Sequence, residues 1–356
     1  MLRLRTSALA LVLSVALGSC KRVEEPAQNE HPHAAMPSAA SDSNSEGANS
    51  AGPAITPPQT PAHTPTQLLT LPSSAYQAAL FADDEAIELL THSAAYRLLP
   101  GQLPLTRQID LGFAATVTRK NYVYWSQGAL WSEPRRASTP SGATKLGALA
   151  EQPQRVVADL AADEFAFLTR PEGNQQIIAK LENKRVKALY ASTGPIDALT
   201  MLGDTLYFVE RPSAGGWRIG GVKFAGGEPF FTSGKSGRWP ALLSGKKDLV
   251  YYDGARRNVL ALSRDLQDER TLAKDFICSP MTAADNVYCS TMEGVFELSA
   301  TGTPRQVVPA SRKLITNLVA NSQRLAFITD VGAQGQDQLA VYFVPLSAPS
   351  ADEPPR

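Results

Sequence analysis

An all-β ring of seven four-stranded blades, a β-propeller closed by an N-terminal strand, is the fold class this sequence predicts, and three observations predict it. One phrase, a polar turn leading into a short apolar or aromatic run, recurs seven times. Its first apolar positions are Ile87, Tyr122, Phe165, Leu206, Leu249, Val287 and Leu325, spaced 35 to 43 residues apart. A period near 40 is that of propeller blades. Each copy is also flanked by further short runs of strand character, giving four per unit. Finally, 26 prolines and 25 glycines among 356 residues suit many short strands and turns better than a helical bundle.

The elements follow in chain order. Arg3 and Arg5 precede an apolar run from Ala8 to Leu17, too short to span a bilayer, so residues 1–19 read as an export signal. The run ends in Leu17-Gly18-Ser19-Cys20, which resembles the bacterial lipobox. That resemblance implies cleavage before Cys20, lipid on Cys20, and attachment to a membrane. Lys21 stands where an aspartate would favour inner-membrane retention, so the resemblance implies a cell-envelope address at the outer membrane. Residues 20–66 are built from Pro, Ala, Ser, Asn, Thr and Gly and bury too little apolar surface to offset ordering entropy. They are expected to form a disordered tether, with residues 67–346 as the propeller domain and 347–356 as a disordered tail.

Within the propeller domain, the recurring phrase reads as the second strand of each blade. Inner strands precede it, as at Val156-Val157 and Leu314-Ile315, and third and outer strands follow, as at Val259-Leu260 and Val307-Val308. The seventh unit runs out of chain before its outer strand, and Gln67-Leu68-Leu69-Thr70-Leu71 is the unassigned segment that supplies it. Joining the termini in this way hides two sheet edges that would otherwise invite aggregation. Cys278 and Cys289 flank Ala283-Ala284 symmetrically, so antiparallel strands would set them opposite each other, and an exported chain would oxidise them to a disulfide.

Chemistry is sparse. With 34 basic and 34 acidic residues there is no electrostatic case for nucleic acid. Of four histidines only His92 lies in the repeats, which leaves no multi-histidine metal site and no ready base for a nucleophile. No calcium loop, phosphate loop or dinucleotide fingerprint occurs, so neither metal nor cofactor is expected, and no residue is singled out as catalytic. Asp83, Asp84, Asp163, Glu164, Asp204, Asp248 and Asp285 recur just before the second strands, where carboxylates stabilise turns by accepting backbone N–H groups. The one candidate ligand platform is Trp217 and Trp239 beside Arg218, Lys235 and Arg238, suited to an anionic or carbohydrate ligand. In the alternative reading, the glycines of that tract serve bulges and turns of blade four.

The whole pattern resembles bacterial lipoproteins that carry a β-propeller on a Pro/Ser-rich tether. Its repeats are similar to propellers of the TolB and DUF5050-like kind. That resemblance implies binding in the envelope rather than a shared active site. The residues depart from the tryptophan-docking signature of quinone-dependent propeller dehydrogenases. The expectation is a monomeric, membrane-anchored, non-catalytic scaffold for a protein or glycan partner. The alternatives are a hydrolase or lyase using carboxylates and tyrosines in the central funnel, and a carbohydrate sensor.

Overall fold

The computed structural model describes residues 64–346, with the exception of 73–78, 84, 100–101, 110, 112–113, 137–141, 171–174, 213–214, 236–240, 300–302, 311–312 and 331–337. The export signal, Cys20, most of the tether, the tail, Asp84, Arg238 and Trp239 lie outside the described residues.

Every described sheet is a four-stranded antiparallel blade, and there are seven. In blades one to six the strands follow one another outward in chain order. Blade seven is different: its order from outside to inside is Thr66–Pro72, Gln338–Pro345, Arg324–Asp330, Ile315–Ala320. The N-terminal strand therefore pairs with the last strand of the chain, from Thr66 opposite Phe343 to Pro72 opposite Gln338, with a bulge between Gln67 and Leu69. From blade two to blade seven successive inner strands contact each other, and Ile315–Ala320 of blade seven touches Ala79–Ala82 of blade one, which closes the ring.

Core location explains why the second strands were so legible. Each blade packs both faces against neighbours, so a second strand is covered on both sides and reads as an unbroken apolar run. Thr205–Glu210 is buried at all six positions. Its side chains alternate between two gaps: Leu206 and Phe208 pack with blade three, Tyr207 and Val209 with blade five. Among the described residues the core is accordingly seven clusters, one in each gap between neighbouring blades. Outer strands lack that cover. Arg185–Ala191 is exposed over its first four residues, and its sequence signal is correspondingly weak.

Three sequence expectations need correction. Cys278 and Cys289 are bonded, but not as cross-strand partners. The register places Met281 opposite Cys289, three residues out from the predicted pairing. Cys278 lies ahead of the inner strand, on a segment held alongside Ser290 by the Ser279 N–H donating to the Ser290 carbonyl (3.1 Å) and the Ser290 N–H donating to the Pro280 carbonyl (2.9 Å). The glycines of blade four are also of two kinds. Gly226 and Gly227, with φ of +100° and +133°, do serve a turn. Gly220 and Gly221 sit in a regularly paired strand, where a Cβ would come within 2.4 Å of the Phe208 ring and 2.3 Å of the Phe230 ring. Close ring packing, not a bulge, excludes a side chain there. Finally, the recurring aspartates do more than brace turns. Asp83 accepts the N–H groups of Glu85 (2.9 Å) and Ala86 (2.8 Å), as expected. Asp163 instead reaches Lys120 of blade two at 2.9 Å, and Asp285 reaches Lys246 of blade five at 2.8 Å. These carboxylates link neighbouring blades.

Candidate functional site

The central channel has one mouth where the inner strands end, and there a cavity of about 430 Å3 opens. Six blades contribute a small residue to its wall: Ala82, Ala158, Gly203, Gly245, Ala283 and Ala320. The charges beside them are already bound. Asp83 pairs with Arg135 at 2.6 Å, Asp159 accepts the Gly203 N–H at 2.7 Å, and Arg264 donates to the carbonyls of Lys246 and Lys247. Burial alone would raise the Asp83 pKa, but the Ala86 N–H and the Arg135 guanidinium outweigh it and hold the carboxyl below its usual range. At the opposite mouth Asp197 pairs with Arg211 at 2.6 Å, and its charge opposes the burial that lowers the pKa of Arg155.

The buried carboxylates do not face this channel. Glu88 of blade one is fully buried and accepts from Arg135 (2.8 Å) and Tyr122 (2.8 Å) of blade two and from Arg97 of its own blade (3.1 Å). Glu210 of blade four, also fully buried, accepts from Arg218 (2.7 Å), the Thr193 N–H (2.5 Å) and Tyr190 of blade three (3.0 Å). Buried Glu297 joins Arg305 to Asn286, while the more exposed Glu269 joins Tyr251 to Lys235. Charges removed from water this way must be fully paired, and here they clasp adjacent strands and blades. Tyr190 is pushed up to about 12, first by burial and then by the Glu210 charge. Burial likewise raises Tyr122, Tyr251 and Tyr288. Glu210 and Glu269 are held low because hydrogen bonds from Arg218 and Lys235 outweigh burial. Among the described residues every carboxyl whose pKa moves goes down and every phenol goes up. These shifts hold the carboxyls ionised and the phenols neutral near neutral pH.

Of the predicted platform, Trp217, Arg218 and Lys235 are described, and Trp217 does not lie on an open surface. Trp217 is 2% exposed, packed edge-on against Tyr251 (5.8 Å between centroids) in the gap between blades four and five. Its backbone bridges to Lys235 in both directions (2.8 and 2.7 Å), and Lys235 Nζ binds Glu269 at 2.6 Å. Arg218, the next residue along the strand, projects to the other side, over Phe231 at 3.8 Å and onto Glu210. Adjacent strand positions face opposite gaps, so Trp217 and Arg218 cannot hold one ligand between them.

A surface that the sequence reading missed lies on blades six and seven. Ile277 is 61% exposed, Met292 95% and Leu314 73%. All three occupy connections at the end of the ring where inner strands begin. Ile277 precedes the inner strand Met281–Ala283, Met292 sits in the turn between Val287–Thr291 and Gly294–Leu298, and Leu314 directly precedes Ile315–Ala320. The Cys278–Cys289 bond and the Ser279–Ser290 hydrogen bonds fix the first two connections against each other, and the two inner strands touch. The three exposed apolar side chains thus lie at the same end of two neighbouring blades. The signal was there to find: a bare methionine at a turn tip, Thr291-Met292-Glu293, and a leucine after Lys313.

No protein-family model matches the chain, and no curated protein does. Among solved structures, the β-propeller domain of the Trilobed protease from Pyrococcus furiosus, described as having an open velcro topology, superposes with a TM-score of 0.57 at 9% identity. The match covers 78% of this chain and 99% of that one. A chain of the mitotic checkpoint complex gives 0.53 at 10% identity, covering 85% and 99%. Pyrococcus horikoshii acylaminoacyl peptidase gives 0.54 at 10% identity over 76% of this chain, which spans about half of that enzyme (52%). At such identities the likeness shows fold alone: this chain is a seven-bladed β-propeller, closed by its own N-terminal strand.

Proposed function

We propose that the protein is a lipid-anchored, non-catalytic scaffold of the bacterial cell envelope, whose propeller offers the Ile277, Met292 and Leu314 face to a protein partner. The observation that carries this reading is three exposed apolar side chains at one end of two neighbouring blades, two of them on connections that a disulfide and hydrogen bonds tie together. A preformed apolar surface loses little entropy when a partner covers it. The anchor rests on the sequence, on Leu17-Gly18-Ser19-Cys20 and the export-signal pattern before it. The tether of residues 20–66 then gives the propeller reach from the membrane surface.

Photo-crosslinkers placed at Met292 and at Leu314 in the full chain, in native envelopes, test the face. Both should trap the same protein, a crosslinker at the distant exposed Leu103 should not, and Leu314→Asp should reduce trapping at position 292 at least tenfold. Equal trapping from all three sites, or turnover of envelope glycans by the purified chain, would overturn the reading. Cys20→Ser should abolish incorporation of a labelled fatty acid and release the chain from the membrane fraction.

A further inference from the structure

Between blades six and seven lies a cavity of about 250 Å3. Its aromatic wall is the stacked pair Phe327 and Tyr342, 5.4 Å between centroids and 15° apart, and Pro309 and Pro65 stand beside them. Thr329 also lines it. That side chain is 1% exposed, and its hydroxyl has no hydrogen-bond partner among the described residues. A buried hydroxyl without a partner is an exception that calls for a physical explanation. The cavity thus offers flat apolar walls and one unused polar group, which suits an extended peptide segment with an apolar ring and a free carbonyl.

Where the chain enters the propeller points to the occupant. Pro65 is in the cavity wall, and directly upstream the sequence reads Pro57-Pro58-Gln59-Thr60-Pro61-Ala62-His63-Thr64. Pro61 is only four residues from Pro65, so even a fully extended chain keeps it within about 14 Å. Proline-rich segments dock in aromatic-walled grooves because their fixed φ leaves little entropy to lose, and their carbonyls remain free to accept. A short covalent link also raises the effective concentration of such a segment into the millimolar range.

We propose that this cavity is a docking site for the chain's own proline-rich stretch, with Pro61 against the Phe327–Tyr342 wall and a carbonyl of the stretch accepting the Thr329 hydroxyl proton. Docking moves the point at which the tether leaves the propeller from Pro65 back to Pro57. It does not depend on the partner face proposed above.

Hydrogen exchange on the full chain tests it. The amides of Gln59, Thr60, Ala62 and His63 should exchange at least tenfold more slowly than free-peptide rates. Thr329→Val and Pro61→Ala should each weaken that protection roughly fivefold, while the amides of Leu249–Asp253 in blade five stay unchanged and report an intact fold. A synthetic peptide of residues 55–66 should bind the Pro61→Ala chain and not the wild type. Free-peptide exchange at residues 59–63, equal peptide binding to both chains, or protection that rises with protein concentration would overturn the proposal. The first two results would leave the cavity to another protein's segment and the third to a second copy. A higher melting temperature for Thr329→Val would also count against it, since an unpaired buried hydroxyl is better replaced by a methyl group.

Discussion

At the scale of single residues, the buried glutamates matter more than any exposed charge. Glu210 receives Arg218, Tyr190 and Thr193 together, and the Arg218 guanidinium lies over Phe231 as well. Removing the carboxylate leaves the half-buried Arg218 without its charge partner and weakens the bonds from Tyr190 and Thr193, so Glu210→Gln should cost about 2 kcal/mol at pH 7. Tyr190→Phe, which removes one neutral donor, should cost about 1 kcal/mol. The pH dependence has a definite sign. Folded Glu210 is more acidic than an unfolded glutamate, so its contribution is complete above the unfolded carboxyl's range and is lost as pH falls below about 4. Melting curves at pH 7 and pH 3 should therefore show the gap between wild type and Glu210→Gln closing in acid. A gap of equal size at both pH values would mean that packing, not the carboxylate, carries it.

At the scale of strands and turns, two features of blades four and six can be tested against their sequence readings. Gly220→Ala places a Cβ 2.4 Å from the Phe208 ring. Overpacking of this kind should cost about 1–3 kcal/mol and lower the denaturation midpoint. Trimming the ring in Phe208→Leu should recover part of the loss, which a turn-forming glycine would not allow. The Cys278–Cys289 bond spans a sequence separation of 11, and closing so short a loop in the unfolded chain contributes about 3 kcal/mol. Reduction should lower stability by that amount and increase exchange of the Ser279 and Ser290 amides. The strands themselves were legible wherever both faces are covered, because the apolar run then continues without alternation, as in Leu206-Tyr207-Phe208-Val209. The pairing of the cysteines was legible too, but its geometry was not, because register depends on where the inner strand begins and Met281 takes that place. Burial of Trp217 was hidden for a related reason. A tryptophan beside arginine and glycine looks solvated in one dimension, while the gap between blades four and five covers it in three. The exposed face at Met292 was hidden in the opposite sense, as an apolar residue in a polar turn, which only the neighbouring connections turn into a surface.

At the scale of the whole molecule, stability rests on seven wedge-shaped cores in a circle, so the closing strand has a consequence that no other outer strand has. Leu71, 2% exposed, comes from the N-terminal strand and packs with Leu80, Ile87 and Leu98 of blade one as well as with Ala326 and Val341 of blade seven. Leu272, 4% exposed on the outer strand of blade five, is a matched residue whose strand joins no termini. Each Leu→Ala change should cost about 2–5 kcal/mol from lost burial and the cavity left behind. Their effects on cooperativity should differ. Weakening the strand Thr66–Pro72 loosens the pairing of the first and last strands of the described chain and leaves mainly the inner-strand contact and the Asn321 and Arg324 hydrogen bonds to Asp83 and Glu85 between blades seven and one, so these two blades can open without the rest. Leu71→Ala should therefore reduce the ratio of van't Hoff to calorimetric unfolding enthalpy below one. It should also raise exchange selectively in Ile87–Leu90 and Arg324–Asp330. Leu272→Ala should lower the melting temperature while leaving the ratio near one. If both variants keep a single sharp transition, the N-terminal strand adds area to blade seven but does not lock the ring.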